Sequence, residues 1–152
     1  MSESATDTLG LLLERAEGER DTAARALHAA VNQAQAARNQ HGELAGYRQD
    51  YQQRWTQNFA QGTTMHIVTC YQNFGQRLDQ AVDTQGHIAN HADQRQVRAR
   101  EALQQAEMRV AALRQLIARR QAEAAKAAQR REQRASDEFA ARAHLRNQHA
   151  HA

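Results

Sequence analysis

Proline is absent from this chain of 152 residues. A proline inside a helix costs ~3 kcal/mol and alanine is the best helix former, so an Ala-, Gln-, Arg- and Glu-rich chain without proline suits long uninterrupted helices. That excludes a fold built on many tight turns. Cysteine is nearly absent as well: Cys70 alone excludes an internal disulfide and a thiolate metal centre. Aromatic residues make up only 5% of the chain, large aliphatics are few, and alanine supplies most of the 41% apolar fraction. Such a composition fills a narrow seam between helices and cannot fill a wide core. No stretch approaches the ~20 apolar residues of a membrane span. The acidic N-terminus, with its short run Leu11, Leu12 and Leu13, has none of the marks of a signal peptide. The expectation is a soluble, cytoplasmic protein.

What is present is periodicity. Leu13, Arg20, Leu27, Ala34, His41, Arg48 and Trp55 form one series at seven-residue spacing, and Leu9, Ala16, Ala23, Ala30, Ala37, Leu44 and Tyr51 form another. Alternating steps of three and four between mostly apolar residues mark a coiled-coil seam. Arg20, His41 and Arg48 interrupt it, and long stems at the seam edge accommodate them by snorkelling. The only break lies at Asn58–Thr64, where Gly62 suits the position after a helix and Thr63 or Thr64 caps the next one. Periodicity resumes with Ile67, Tyr71, Phe74, Leu78, Ala81, Gln85, Ile88 and Ala92. It then shifts by one residue to Ala99, Leu103, Ala106, Val110, Leu113 and Ile117, which reads as a local change of supercoil.

Folding the chain back near Gly62 sets Leu9–Leu13 beside Leu113, Leu116 and Ile117, Leu44 beside Leu78 and Ala81, and Tyr51 beside Phe74, with alanine facing alanine between. The predicted fold is all-α: an antiparallel two-helix coiled-coil hairpin with an unpaired C-terminal helical extension, as a single elongated domain. The first helix is expected over about 5–60, a turn over 61–65, the second helix over 66–146 and a frayed tail over 147–152. At 1.5 Å per residue the arms would reach ~75 and ~120 Å. The extension from about residue 118 carries eight cations (Arg119, Arg120, Lys126, Arg130, Arg131, Arg134, Arg142, Arg146) against four carboxylates. The whole formal excess of +3 therefore sits on that end.

Chemistry has little foothold here. His87 and His91 stand at i, i+4, a spacing that can clamp a metal, with only Asp83 in helical reach, so solvated histidines are the expected reading. No phosphate loop, nucleophile motif or carboxylate pair is present, so no catalytic residue, metal or cofactor is expected. The basic extension has interleaved acids and no aromatic platform, which favours a protein socket over nucleic acid. Tyr47, Tyr51, Trp55, Phe59, Met65, Ile67, Tyr71 and Phe74 crowd the bend. Two helices cannot bury them all, so an exposed apolar patch is expected there.

Two local signatures add to this picture: Tyr71-x-x-Phe74-x-x-x-Leu78-x-x-Ala81-Val82-x-x-Gln85 after the bend, and Arg130-Arg131-Glu132-x-x-x-x-Asp137-Glu138-Phe139-Ala140 near the end. Their order and spacing on an unequal helical hairpin resemble the FliJ family of the bacterial flagellar type III export apparatus. The resemblance implies a non-enzymatic coupling protein. It would insert like a rotary-ATPase stalk into the hexameric export ATPase, contact the cytoplasmic domain of the membrane export gate, and engage export chaperones. It would act in the cytoplasm at the inner face of the cell membrane, with no nucleic acid or small-molecule substrate. Carried onto this sequence, the gate contact is Phe74, Leu78, Ala81 and Gln85, where Gln85 stands at a place the family can fill with His. The ATPase contact is Leu11 and Arg15 with Arg130, Arg131 and Arg134. A basic-tipped helix suits an axial hole with an acidic lining. An injectisome stalk protein and a structural coiled-coil spacer are the alternative readings.

Overall fold

The computed structural model describes residues 2–151. It contains two helices, α1 (Ser2–Ala60) and α2 (Met65–Ala150), and no strand among the described residues. The two helices pack against each other as an all-α hairpin. Helix α2 runs on through 147–150, in place of the expected frayed tail. The segment Glu132–Arg146 carries acids and bases at i, i+3 and i+4 spacing and leads without interruption into the last turns, so nothing local ends the helix earlier.

The bend is built by three local devices. The end of α1 tightens, with Gln61 N donating to Asn58 O at 3.1 Å and Gly62 N to Phe59 O at 3.2 Å. Gly62 then adopts φ 85°, the left-handed conformation that side chains resist. Thr64 caps α2: its Oγ1 accepts from Ile67 N at 3.4 Å while its carbonyl accepts from Val68 N at 3.1 Å. Gly62→Ala and Thr64→Ala are each expected to cost about 1 kcal/mol, or roughly 2–4 °C in a chain of this size, and thermal melts followed by circular dichroism check both.

The chain divides into two compact units, Gly18–Glu107 and Met1–Glu17 with Met108–Ala152. In the first unit the seam is alanine-rich, and Ala34, Ala37, Ala89 and Ala92 form its contiguous buried cluster. Small side chains let two helix backbones approach closely, which leaves no room for large ones between them. On α1 every member of both expected series is buried or half-buried, including Arg20, His41 and Arg48. Arg48 reaches out to Asp79 at 3.6 Å, as a snorkelling stem should. His41 lies over Gly86, where an added Cβ would stand 3.3 Å from its Nε2, so glycine makes the space for the imidazole.

On α2 the expected register needs correction. The hidden row runs through Val68, Tyr71, Gly75, Leu78, Val82, Gln85, Ala89, Ala92, Gln96, Ala99, Leu103, Ala106, Val110, Leu113 and Ile117, in steps of three and four. Ala81, Gly86, Asp93 and Leu116 are half-buried along its edges. There is no shift of register. The series through Tyr71, Leu78, Gln85 and Ala92 is correct. The companion series Ile67, Phe74, Ala81 and Ile88 is displaced by one residue from the true one, and Ile67, Phe74 and Ile88 are exposed. The stretch from Leu103 onward belongs to the same unbroken pattern.

In the second unit Leu9 and Ala16 of α1 and Val110 of α2 are the buried apolar residues, and Leu9 and Ile117 line a common groove with Ala5 and Ala124. Glu17 and Arg114 pair at 3.2 Å. From Ala118 to His151 every residue but Ala127 and Ala143 is exposed. No helix among the described residues is long and apolar enough to cross a membrane.

Candidate partner-binding surfaces

The aromatic residues near the bend form one connected stack. Tyr51 lies against Tyr71 with ring centroids 5.1 Å apart, against Phe74 at 4.8 Å and against Trp55 at 6.1 Å. Trp55 and Phe59 close on Tyr71 at 4.8 and 5.2 Å. Such pairs contribute about 0.5–1.5 kcal/mol each beyond area burial. The stack stiffens the hairpin where glycine and the bend would loosen it. Around it the expected apolar patch is present: Tyr47 is 66% exposed, Met65 79%, Ile67 41% and Phe74 51%.

Tyr51 is the hub of that stack. Its hydroxyl donates to Tyr71 O at 3.4 Å. Burial pushes its phenol above the ordinary value of 10.0; a hydrogen bond with Trp55 opposes the rise, and the neighbouring Tyr71 and Cys70 add to it. An acid whose folded pKa is raised binds its proton more tightly in the folded state, so its stabilising contribution is complete below about pH 10 and is lost as pH climbs toward the raised value. Thermal melts across about pH 9–12 are expected to show that alkaline loss, and Tyr51→Phe to reduce its slope.

The four residues assigned to the gate contact occupy two different rows. Leu78 and Gln85 belong to the seam; Gln85 Nε2 donates to Gln40 Oε1 at 3.1 Å and to Ala37 O at 3.5 Å. Phe74 and Ala81 stand one row out, the Phe74 ring braced on Tyr51 and open to solvent on its other face. The stripe is thus partly hairpin core and partly surface. Of the residues assigned to the ATPase, Leu11 and Arg15 are exposed on α1, and Arg130, Arg131 and Arg134 are exposed on α2. Arg130 shares a shallow surface with Lys126, Glu132 and Gln133. Asp83 and His87 line a cleft beside His41 and the Arg38–Asp93 ion pair, and no group of three His, Cys, Asp or Glu gathers as a metal site among the described residues.

The sequence model of one family, described as flagellar FliJ protein, matches residues 6–149. The chain belongs to the FliJ family. Membership makes it a flagellar export-related protein, in a family of non-catalytic export components, and its hairpin is a coiled coil. No curated protein and no solved structure matches this chain. Sequence reasoning missed one feature of the FliJ-family hairpin. Ile88, which periodicity alone sets in the core series, extends the exposed apolar patch along α2, seven residues beyond Ala81 and fourteen beyond Phe74.

Proposed function

We propose that this chain couples the flagellar export ATPase to the membrane export gate and catalyses nothing itself. The end carrying Leu11, Arg15, Arg130, Arg131 and Arg134 enters the ATPase hexamer, and the α2 stripe of Phe74, Leu78, Ala81 and Gln85 meets the cytoplasmic domain of the gate protein at the inner face of the cell membrane. Export chaperones are further partners of the same protein. The observation that carries the gate half is Phe74: a large ring, 51% exposed, held at 4.8 Å from Tyr51 instead of lying within the seam. A braced aromatic loses little conformational freedom on docking, which is the usual character of an interface anchor. Ala81 leaves room beside it, while Leu78 and Gln85 hold the row in place from below.

Phe74→Ala is expected to weaken binding of the gate domain at least tenfold, about 1.4 kcal/mol, while the helix melt stays within a few degrees. Calorimetric titration with the gate's cytoplasmic domain, beside a thermal melt, reads both. A collapse of the melt with unchanged affinity would assign Phe74 to the hairpin core and remove it from the interface.

A further inference from the structure

Within Gly18–Glu107 the hairpin has two unlike edges. On one, charges meet inside the chain: Arg38 pairs with Asp93 and Arg48 with Asp79, with His41 seated over Gly86 between them. The other edge carries on α2 the row Ile67, Phe74, Ala81, Ile88 and Arg95. One row further from the seam stand Cys70, Arg77, Thr84, His91 and Arg98. The Gln40–Gln85 bond sets Gln40 on this same edge, and with it Tyr47 and Arg54 of its row on α1.

Charge on α2 is sorted between these edges. Its carboxylates in this unit, Asp79, Asp83, Asp93, Glu101 and Glu107, all fall on other rows, so the two rows of the second edge hold Arg77, His91, Arg95 and Arg98 and no acid. All four are exposed, and none of the three arginines meets a carboxylate among the described residues. The Arg38–Asp93 pair fixes which part of α1 lies opposite Arg95 and Arg98. There this edge of α1 presents Ala29, Gln33 and Ala36, with no charge to neutralise them. Glu43 and Asp50 lie nearer the bend, on the outer row of α1. Exposed Phe74 and Ile88 are therefore flanked on α2 by cations that the chain itself leaves unmatched.

We infer that the segment docking on this edge is an acidic amphipathic helix of the gate's cytoplasmic domain, laid along α2 from Phe74 to Arg98. The inference rests on the proposed function and names the chemistry of the gate segment. It also extends the contact past the stripe given above, to Ile88, Arg95 and Arg98. Phe74, Ala81 and Ile88 recur at seven residues, the interval at which a third helix offers its own apolar side chains, and the run to Arg98 is ~36 Å long. The carboxylates of the docked helix lie on its side over α2, where a guanidinium takes a carboxylate through two parallel hydrogen bonds. Glu43 and Asp50 repel acids from the side over α1, which fixes how the helix is turned.

Calorimetric titration of the full chain with the gate's cytoplasmic domain, at low and at high salt, tests this. The double variant Arg95→Glu, Arg98→Glu is expected to bind at least about tenfold more weakly at low salt and to lose most of the salt dependence, with unchanged helical circular dichroism. Arg100→Glu is the same reversal two residues along, in the row of Asp79 and Asp93, and should bind like the wild type. Lys126 is the only lysine of the chain, so Arg95→Lys sets a single amine on this edge. Carbodiimide should couple that amine to an aspartate or glutamate of the gate domain, within a segment whose acids recur at three and four residues. Binding that ignores salt and the double reversal, yet still falls with Phe74→Ala, would overturn the acidic helix and leave the proposed function standing. Failure of the wild-type chain to bind the gate domain at all would remove both. If the double reversal frees the chain from phosphatidylglycerol vesicles and leaves the gate affinity intact, a lipid surface is the occupant and the helix is overturned.

Discussion

Ala34→Glu is expected to unfold much of the unit formed by Gly18–Glu107. Ala34 is fully buried, at 0% exposure, in the cluster with Ala37, Ala89 and Ala92. A glutamate there finds no space between two closely approached helices and no buried partner for its charge. Overpacking costs about 1–3 kcal/mol, and a buried unpaired carboxylate adds several more unless it takes up a proton. A net loss of about 4 kcal/mol corresponds to a fall of roughly 8–16 °C in a chain of this size. Ala36→Glu is the control. Ala36 is exposed two residues along the same helix, and the same substitution there should move the melt by no more than about 0.5 kcal/mol. Paired melts of the two variants read the difference directly, and equal melts would mean that the alanine seam is not what holds this unit together.

A chain ending at Ile117 is expected to lose retention on the export ATPase while keeping its affinity for the gate domain. The deletion removes eight cations and four carboxylates, all on residues that are exposed. An arginine-rich helix with so exposed a surface has little to stabilise it but its own hydrogen bonds and i, i+4 pairs, so its use lies in what it docks against. Removing several charge-assisted hydrogen bonds at once weakens binding by at least about a hundredfold, or about 2.7 kcal/mol. The triple change of Arg130, Arg131 and Arg134 to Ala should fall between the two and show a flatter salt dependence than the intact chain. Pull-down with the ATPase hexamer compares all three. Full retention of the truncated chain would move the ATPase contact away from this end.

The alanine seam and the basic end differ in how far residues alone reveal them. The absence of proline, the wealth of alanine and the two series on α1 specify a long first helix and its buried face, because on that helix no rival row is apolar. Gly62 and Thr64 specify the bend, since a left-handed residue and a cap are local requirements that no distant neighbour alters. The charge imbalance that marks the C-terminal stretch is likewise a property of the chain.

The face of α2 is a different matter. Two adjacent rows there are both largely apolar, Ile67, Phe74, Ala81 and Ile88 against Val68, Gly75, Val82 and Ala89, and periodicity ranks them by bulk. On that ranking the larger residues belong in the core. Packing selects the smaller ones: beside Ile88 the seam is the Ala34, Ala37, Ala89 and Ala92 cluster, whose helices come too close to admit it, and beside Phe74 the rings of Tyr51 and Tyr71 already fill the seam. Local chemistry was enough to dictate that a hairpin forms and where it bends. Which row of α2 is hidden depends on how near the two backbones come, a distance no single helix encodes, and that distance leaves the bulky row on the surface, where it is free to bind.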